Sequence, residues 1–410
     1  MPSPPPFVTD GLRIESPDLS SRRFKANPYP FYARLRAEAP VYRMKLGFWL
    51  PRAWIVTRYA DVLALLKDDR FSNDVTAKLP WVPRTTRPLT QHMLNRDPPD
   101  HTRLRTLVNK AFTPRVVDGM RGRIQSVCDG LLDAAAARGR MELVADLALA
   151  LPLRVIADLL GVPARDRHRF AGWSKRVAAA TSGALLDLVR GQPSLFRAVW
   201  YLRRVVALRR AEPADDLVTA LIRAEEAGDR LDEDEVVGMI ALLLLAGYET
   251  TINLIASGTL ALVQNPEERA RFQAEPDHAE PAVEELLRYT SPADFASFRV
   301  AREDVAIAGT VVPRGGMALA ALTAANRDER QFPDPDRLDL GREPNRHLAF
   351  GIGAHFCVGA PLARLEGRIA LTTLFRRFPG LSLGAPPEKL RWRRGLLFRG
   401  LEELPIVLGT

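Results

Sequence analysis

The sequence predicts a mainly α-helical chain with a small β-sheet region, folded as one domain. Three observations carry this. Apolar residues recur with helical period almost without pause from Asp100 to Leu262, interrupted only at short Gly/Pro points such as Gly161-Val162-Pro163 and Gly191-Gln192-Pro193. Alternating, β-rich text is confined to Ala53–Tyr59, Phe298–Val312 and Pro405–Leu408. The 410 residues are 47% hydrophobic and 26% charged, with no internal repeat and no low-complexity linker. A chain of this mass buries roughly three quarters of its unfolded surface, so it needs no covalent staples.

In chain order, residues 1–26 are Pro- and Ser-rich and read as a loose N-terminal segment; 27–410 form the domain. Pro30–Ala39 reads as a helix, Ala53–Tyr59 as a strand and Asp61–Lys67 as a short helix. Between Phe71 and Leu94 the pattern dissolves around Pro80, Pro83 and Pro88, which predicts a long loop with apolar content, Leu79 and Trp81 included. Asp232 and Glu235 have the spacing of a capping box ahead of an apolar run. After Cys357 the text from Val358 to Arg368 is helical, with Pro361 tolerated in the first turn.

Charge and cysteine usage exclude several classes. The 58 basic and 49 acidic residues leave +9, but the acids are interspersed, so no nucleic-acid-binding tail is present. The surplus fits a face for an acidic partner or plain solvation equally well. Two cysteines cannot build a disulfide framework. The start, MPSPPPF, has no signal-peptide pattern. The longest apolar run, Val236–Gly247, is 12 residues, short of the ~20 that span a bilayer. The expectation is a cytoplasmic chain without a membrane or nucleic-acid partner.

The stretch Ala349–Arg364 reads AFGIGAHFCVGAPLAR. Glycines at this density mean tight turns or close approach to another body. Cys357 sits where a loop enters a helix, and free N–H groups there favour a thiolate. No base and orienting group are legible for nucleophilic catalysis, and His347 and His355 are too few for a closed zinc site. A single thiolate behind close-approach glycines fits a flat cofactor taking one axial ligand, a haem. Cys128, inside a helical stretch, reads as a small buried hydrophobe.

On these residues the sequence resembles the cytochrome P-450 superfamily, whose haem-thiolate signature F-G-x-G-x-H-x-C-x-G is complete as Phe350, Gly351, Gly353, His355, Cys357 and Gly359. The resemblance runs from about Asn27 to Pro405 and implies that family's fold, a triangular helical prism around a buried haem b with Cys357 as iron ligand. Further motifs agree. Ala246-Gly247-Tyr248-Glu249-Thr250-Thr251 interrupts an apolar helix with a carboxylate and hydroxyls. Hydropathy alone leaves a polar groove and a solvated stripe near even. The stretch resembles the family's oxygen-binding helix, which implies that Glu249 and Thr250 deliver protons and that Gly247 makes room beside the haem. Glu285 and Arg288, at i and i+3, resemble the E-x-x-R charge lock, with Arg337 expected as its third member. By the same resemblance His101, Arg105, Arg299 and His355 hold the haem propionates, and His347 is a weaker haem contact.

The implied enzyme is a monooxygenase inserting one atom of O2 into a small apolar molecule. The alternative is a haem-thiolate enzyme driven by peroxide or needing no external electrons; a haem gas sensor or electron carrier is a third. The Glu249–Thr250 pair favours O2. No G-x-G-x-x-G fingerprint for a flavin or dinucleotide is present, so electrons come from a ferredoxin with its reductase, or a flavodoxin. Arg115, Arg121, Arg123, Arg364, Arg368, Arg376 and Arg377 are the expected docking cations on a monomer. Expected pocket walls are Leu79, Trp81, Leu242, Ala246, Asp294, Phe295, Ser297, Leu396 and Leu397.

Overall fold

The computed structural model describes residue 14 and residues 16–46, 52–76, 83–162, 185–214, 216–226, 231–275 and 278–409. Its centre is the helix Glu233–Gln264. Asp232 caps it by accepting from the Glu235 amide at 2.7 Å, and Glu235 accepts in return from the Asp232 amide at 3.2 Å. Three acidic residues in the first turn complement the helix dipole. Beyond them the helix is apolar on nearly every side, and a helix of that kind is stable only inside a protein. Helices Ala150–Leu159, Ala279–Thr290 and Ala360–Arg377 pack around it. Where it crosses the last of these, a Cβ on Gly367 would stand 2.7 Å from Leu254 Cδ2, so glycine sets the distance between the two helices. Among the described helices this one alone has the length and composition to cross a membrane, and 67% of its most apolar stretch is buried inside the protein.

The sheets are small. β1 (Val41–Lys45), β2 (Arg52–Val56), β3 (Phe71–Ser72), β5 (Arg299–Ala301) and β8 (Met317–Ala320) form one sheet in the order β1-β2-β8-β5-β3. β2 and β8 pair in parallel, Ala53 opposite Met317, and β5 pairs antiparallel with β8, Arg299 opposite Ala318. β4 (Arg140–Glu142), β10 (Pro405–Val407) and β9 (Ser382–Leu383) form a second sheet, and β6 (Val305–Ile307) and β7 (Thr310–Val312) a hairpin.

Several sequence expectations are corrected. The N-terminal segment is not loose where it is described: Leu19, Phe24 and Lys25 are buried, and Arg22–Ala26 is a helix capped by Ser21. Residues 1–13 lie outside the described residues. Tyr59 opens the helix Tyr59–Lys67 instead of ending a strand. The Phe71–Leu94 stretch contains β3 and short 3₁₀ turns at Arg87–Thr90 and Met93–Asn95. Helix Leu185–Ala211 runs through Pro193, where a break was expected. Pro removes one N–H bond, and the buried stripe of Val199, Leu202, Val205 and Val206 outweighs that loss. The helical text around residue 140 contains β4, recruited by pairing with the distant β10.

Candidate active site

Cys357 ends a loop shaped by two glycines with positive φ, Gly351 at 66° and Gly353 at 80°. A side chain at Gly353 would also press on Leu66 O, 3.1 Å from its Cβ. The Cys357 amide donates to Phe350 O at 2.9 Å, closing the loop, and the helix Ala360–Arg377 starts three residues on. Burial pushes the Cys357 thiol up, opposed by the amides of Gly359 and Ala360 and by Arg105 and Arg364. All the groups opposing burial stabilise an anion on sulfur. Among the described residues no group of three His, Cys, Asp or Glu side chains is assembled to hold a metal ion.

Cys357 faces a mostly apolar cavity in which about 220 Å³ is open to the centres of water molecules. The core helix contributes Leu243, Ala246, Gly247, Thr250 and Thr251; the chain after Thr290 contributes Ala293, Phe295, Ala296, Ser297 and Arg299; the cysteine loop contributes Phe350, Gly351, His355 and Gly359. The Thr250 hydroxyl donates to Ala246 O at 3.3 Å, which leaves its lone pairs to accept from a guest. A more open surface cavity of about 710 Å³ lies between Tyr29, Arg327, Trp392 and Arg399, away from Cys357.

At one end of the cavity stands a basic cluster. The His101 and His355 rings are 4.1 Å apart, and buried His101 Nε2 has no hydrogen-bond partner. Arg105 bonds only sideways, to Asn109 Oδ1 at 3.1 Å. His355 is pushed down to about 3 by burial, with His101 and Arg299 adding repulsion. Burial also lowers His101 and brings Arg299 down to about 10. The carboxylate that eases them, Asp97, is already engaged by Ser72, the Asn73 amide and Arg302. Four basic groups crowded into one buried corner, one with an orphaned ring nitrogen, form a cradle for carboxylates. A thiol at the far side of an apolar slot and this cradle at its end fit a haem, so the residues pass the test that cofactor sets.

The remaining expected residues divide. Glu249 is buried but turned out of the cavity, 2.5 Å from Arg393 Nη1. Asp294 does not line the cavity; it is fully buried in an ion pair with Lys25 and accepts from Thr323 Oγ1 at 2.7 Å. Leu396 packs in the core beside Phe295, and Leu242 and Leu397 pack against core clusters outside the cavity. Leu79 and Trp81 lie outside the described residues. His347 is no cavity contact either: its Nε2 lies 3.1 Å from Glu284 Oε2, and Glu284 also holds Arg364 through both oxygens at 2.6 and 2.7 Å. Arg364 in turn stacks over Phe350, 4.5 Å from the ring centre.

The charge lock exists with a different third member. Arg288 donates to both oxygens of Glu285 at 2.7 and 2.8 Å, both side chains fully buried. The additional cation is Arg342, whose Nε is 3.2 Å from Glu285, whereas Arg337 contributes only its carbonyl to Arg288. Arg337 and Arg342 share an irregular segment, where no periodicity tells which side chain turns inward.

Sequence reading also missed Glu366. It is fully enclosed, and burial pushes its carboxyl up to about 8, opposed by the hydroxyl of the cavity residue Thr251. Neither oxygen has a hydrogen-bond partner of ordinary geometry. A signal was present: Glu366 falls in the buried stripe Leu362, Leu365, Ile369 and Ala370. Arg393 and Asn253 had no local signal.

A profile of the cytochrome P-450 family matches residues 201–400. The 6-deoxyerythronolide B hydroxylase of Saccharopolyspora erythraea is 41% identical over 404 residues, covering 96% of this chain and 98% of that protein. The vitamin D(3) 25-hydroxylase of Pseudonocardia autotrophica is 42% identical over 402 residues, covering 96% and 97%. The crystal structure of the myxobacterial cytochrome P-450 CYP267B1, in complex with myristic acid, superposes with a TM-score of 0.91 at 44% identity, covering 96% of this chain and 99% of that one.

Proposed function

Because the chain belongs to the cytochrome P-450 family, enzymes that bind haem b and insert one oxygen atom from O2 into small molecules, we propose that Cys357 would hold the haem iron through its sulfur and that His101, Arg105, Arg299 and His355 would hold the propionates. When bound, the haem supplies the oxidising chemistry, and a thiolate ligand favours O–O cleavage. The chain's own residues supply the rest. The amides of Gly359 and Ala360 and the guanidinium of Arg364 stabilise charge on Cys357 Sγ. Phe350 lies under Arg364 and holds that guanidinium in place. Thr250 Oγ1, whose own hydrogen goes to Ala246 O, accepts a hydrogen bond from a cavity water and so orients it, with Glu249 as the relay that exchanges protons with solvent. Glu366, protonated at neutral pH, is a second proton store behind Thr251.

The observation that carries this reading is one cavity lined by a single cysteine sulfur together with Arg299 and His355, the His101 ring lying 4.1 Å from that of His355. The test is the purified holoenzyme reduced under CO. A Soret band at the thiolate position is expected, and one at the imidazole position overturns the assignment. The oxidant is tested by Thr250→Ala, which should release peroxide at the expense of product while peroxide-driven turnover survives; equal loss of both refutes O2 activation at Thr250.

The mostly apolar walls support a small apolar substrate, in line with relatives named as hydroxylases of vitamin D3 and 6-deoxyerythronolide B. Electrons come from a separate redox protein, and we read it as a ferredoxin docking beside the cysteine loop. Arg115, next to exposed Val116 in the chain, is the leading contact. Arg121, Arg123, Arg364, Arg368 and Arg377 are paired with carboxylates of this chain, which weakens their claim. Reduction rates insensitive to salt would refute this docking. We read the enzyme as a cytoplasmic monomer, checked by sedimentation of the holoenzyme and by fractionation of its host.

A further inference from the structure

We propose that Arg393 is the positioning residue for Glu249, forking across one turn of the core helix to hold that buried carboxylate outside the cavity, beside a guanidinium that itself reaches solvent. This rests on the reading of Glu249 as the proton relay.

Glu249 sits halfway along an apolar helix and is 5% exposed, a position where an unpaired carboxylate is costly. Its neighbours Ala246, Gly247, Thr250 and Thr251 line the cavity; Glu249 does not. Arg393 Nη1 bonds Glu249 Oε1 at 2.5 Å, and Nη2 of the same guanidinium bonds Asn253 Oδ1, one turn further along. The Arg393 side chain keeps 28% of its surface exposed, so it joins a buried carboxylate to bulk water. A lysine could pair with Glu249 but could not bridge both acceptors with a planar fork.

The rest of the fold is shaped to deliver this fork. The Arg393 amide donates to Gly400 O at 2.8 Å, and Trp392 bridges to Leu401, so Arg393 projects from a short antiparallel turn. A Cβ on Gly400 would stand 1.9 Å from Asn253 Oδ1 and 2.7 Å from Arg393 Nη2, so the fork occupies the space a side chain would take. Asn253 Nδ2 also donates to Pro292 O at 3.0 Å, at the start of the segment whose Phe295, Ala296 and Ser297 line the cavity. Glu249 and the substrate-side wall thus share one anchor.

The test compares Arg393→Gln, Glu249→Gln and the double variant in the holoenzyme. Glu249→Gln and Arg393→Gln should each lower product per electron pair several-fold, the balance appearing as hydrogen peroxide. The double variant should be no worse than Glu249→Gln, because Arg393 acts through Glu249; Arg393→Lys should recover part of the loss. Thermal midpoints of the resting protein give an independent readout, and the two single losses should not add. If Glu249→Gln couples normally, the relay reading fails. If it uncouples while Arg393→Gln does not, or if the double loss is multiplicative, or the midpoints add, this proposal alone is overturned. Should Arg393→Gln fail to hold haem, Arg393→Met, closer in shape, takes its place in the same comparison.

Discussion

Glu285→Gln probes the buried charge lock. Glu285 accepts five hydrogen bonds: two from Arg288, one each from Arg342 Nε at 3.2 Å, the Asp339 amide at 3.0 Å and Asn345 Nδ2 at 3.1 Å. Glutamine keeps the shape, removes the charge and turns an NH2 group toward guanidinium donors. Removing one partner of a buried pair costs about 3–5 kcal/mol, because the other charge stays buried. Unfolding entropy near 60 °C is about 2.1 cal/mol/K per residue, hence roughly 0.9 kcal/mol/K for this chain. The melting midpoint should therefore fall by roughly 3–6 °C. Glu38→Gln is the control: its pair with Arg34 is also close, 2.9 Å, but lies on the surface. An exposed pair is worth up to about 1 kcal/mol, so its midpoint should move by roughly 1 °C or less. Scanning calorimetry of the two holoenzymes decides it. Equal shifts would show that burial does not amplify the lock.

Glu284 is held at about 2, below its ordinary 4.5: burial would raise it, but hydrogen bonds from Arg364 and His347 prevail. Its contribution to stability is complete above pH 4.5 and is lost as pH falls toward 2, so Glu284→Gln should flatten urea stability over that window. An unchanged acid limb would refute the pairing. Glu366 has the opposite sign. With its carboxyl raised to about 8, each pH unit between 4.5 and 8 costs the native state up to about 1.4 kcal/mol. Glu366→Gln should thus gain on the parent protein as pH rises to 8, and parallel profiles would show that Glu366 ionises normally. Gly400→Ala drives a methyl into Asn253 and should cost about 1–3 kcal/mol. Adding Asn253→Ala should recover part of that; no recovery would mean the clash is elsewhere.

The corrections follow a physical pattern. The cysteine loop and the core-helix motif were legible because their residues are neighbours in the chain: glycine turns, a cap and one helical face are local geometry. The capping box Asp232–Glu235 and the Glu285–Arg288 pair formed as their spacing predicts. Asp294 misled because a lone carboxylate in a loop reads as available, whereas Lys25, 269 residues away, neutralises it in the core. His347 misled for the same reason, its partner Glu284 lying on the helix Ala279–Thr290, 63 residues away.

Local sequence thus pointed to Cys357, Glu249 and Thr250 as the residues proposed to carry chemistry, and to the family to which the chain belongs. Only the tertiary structure decided which charges meet. It chose Arg342 over Arg337, gave Glu249 a partner 144 residues away, and enclosed Glu366 with the Thr251 hydroxyl beside it. Backbone sterics and periodicity act over a few residues, but the field at a buried group is set by whichever side chains packing brings within a few ångströms, and chain order does not encode that distance.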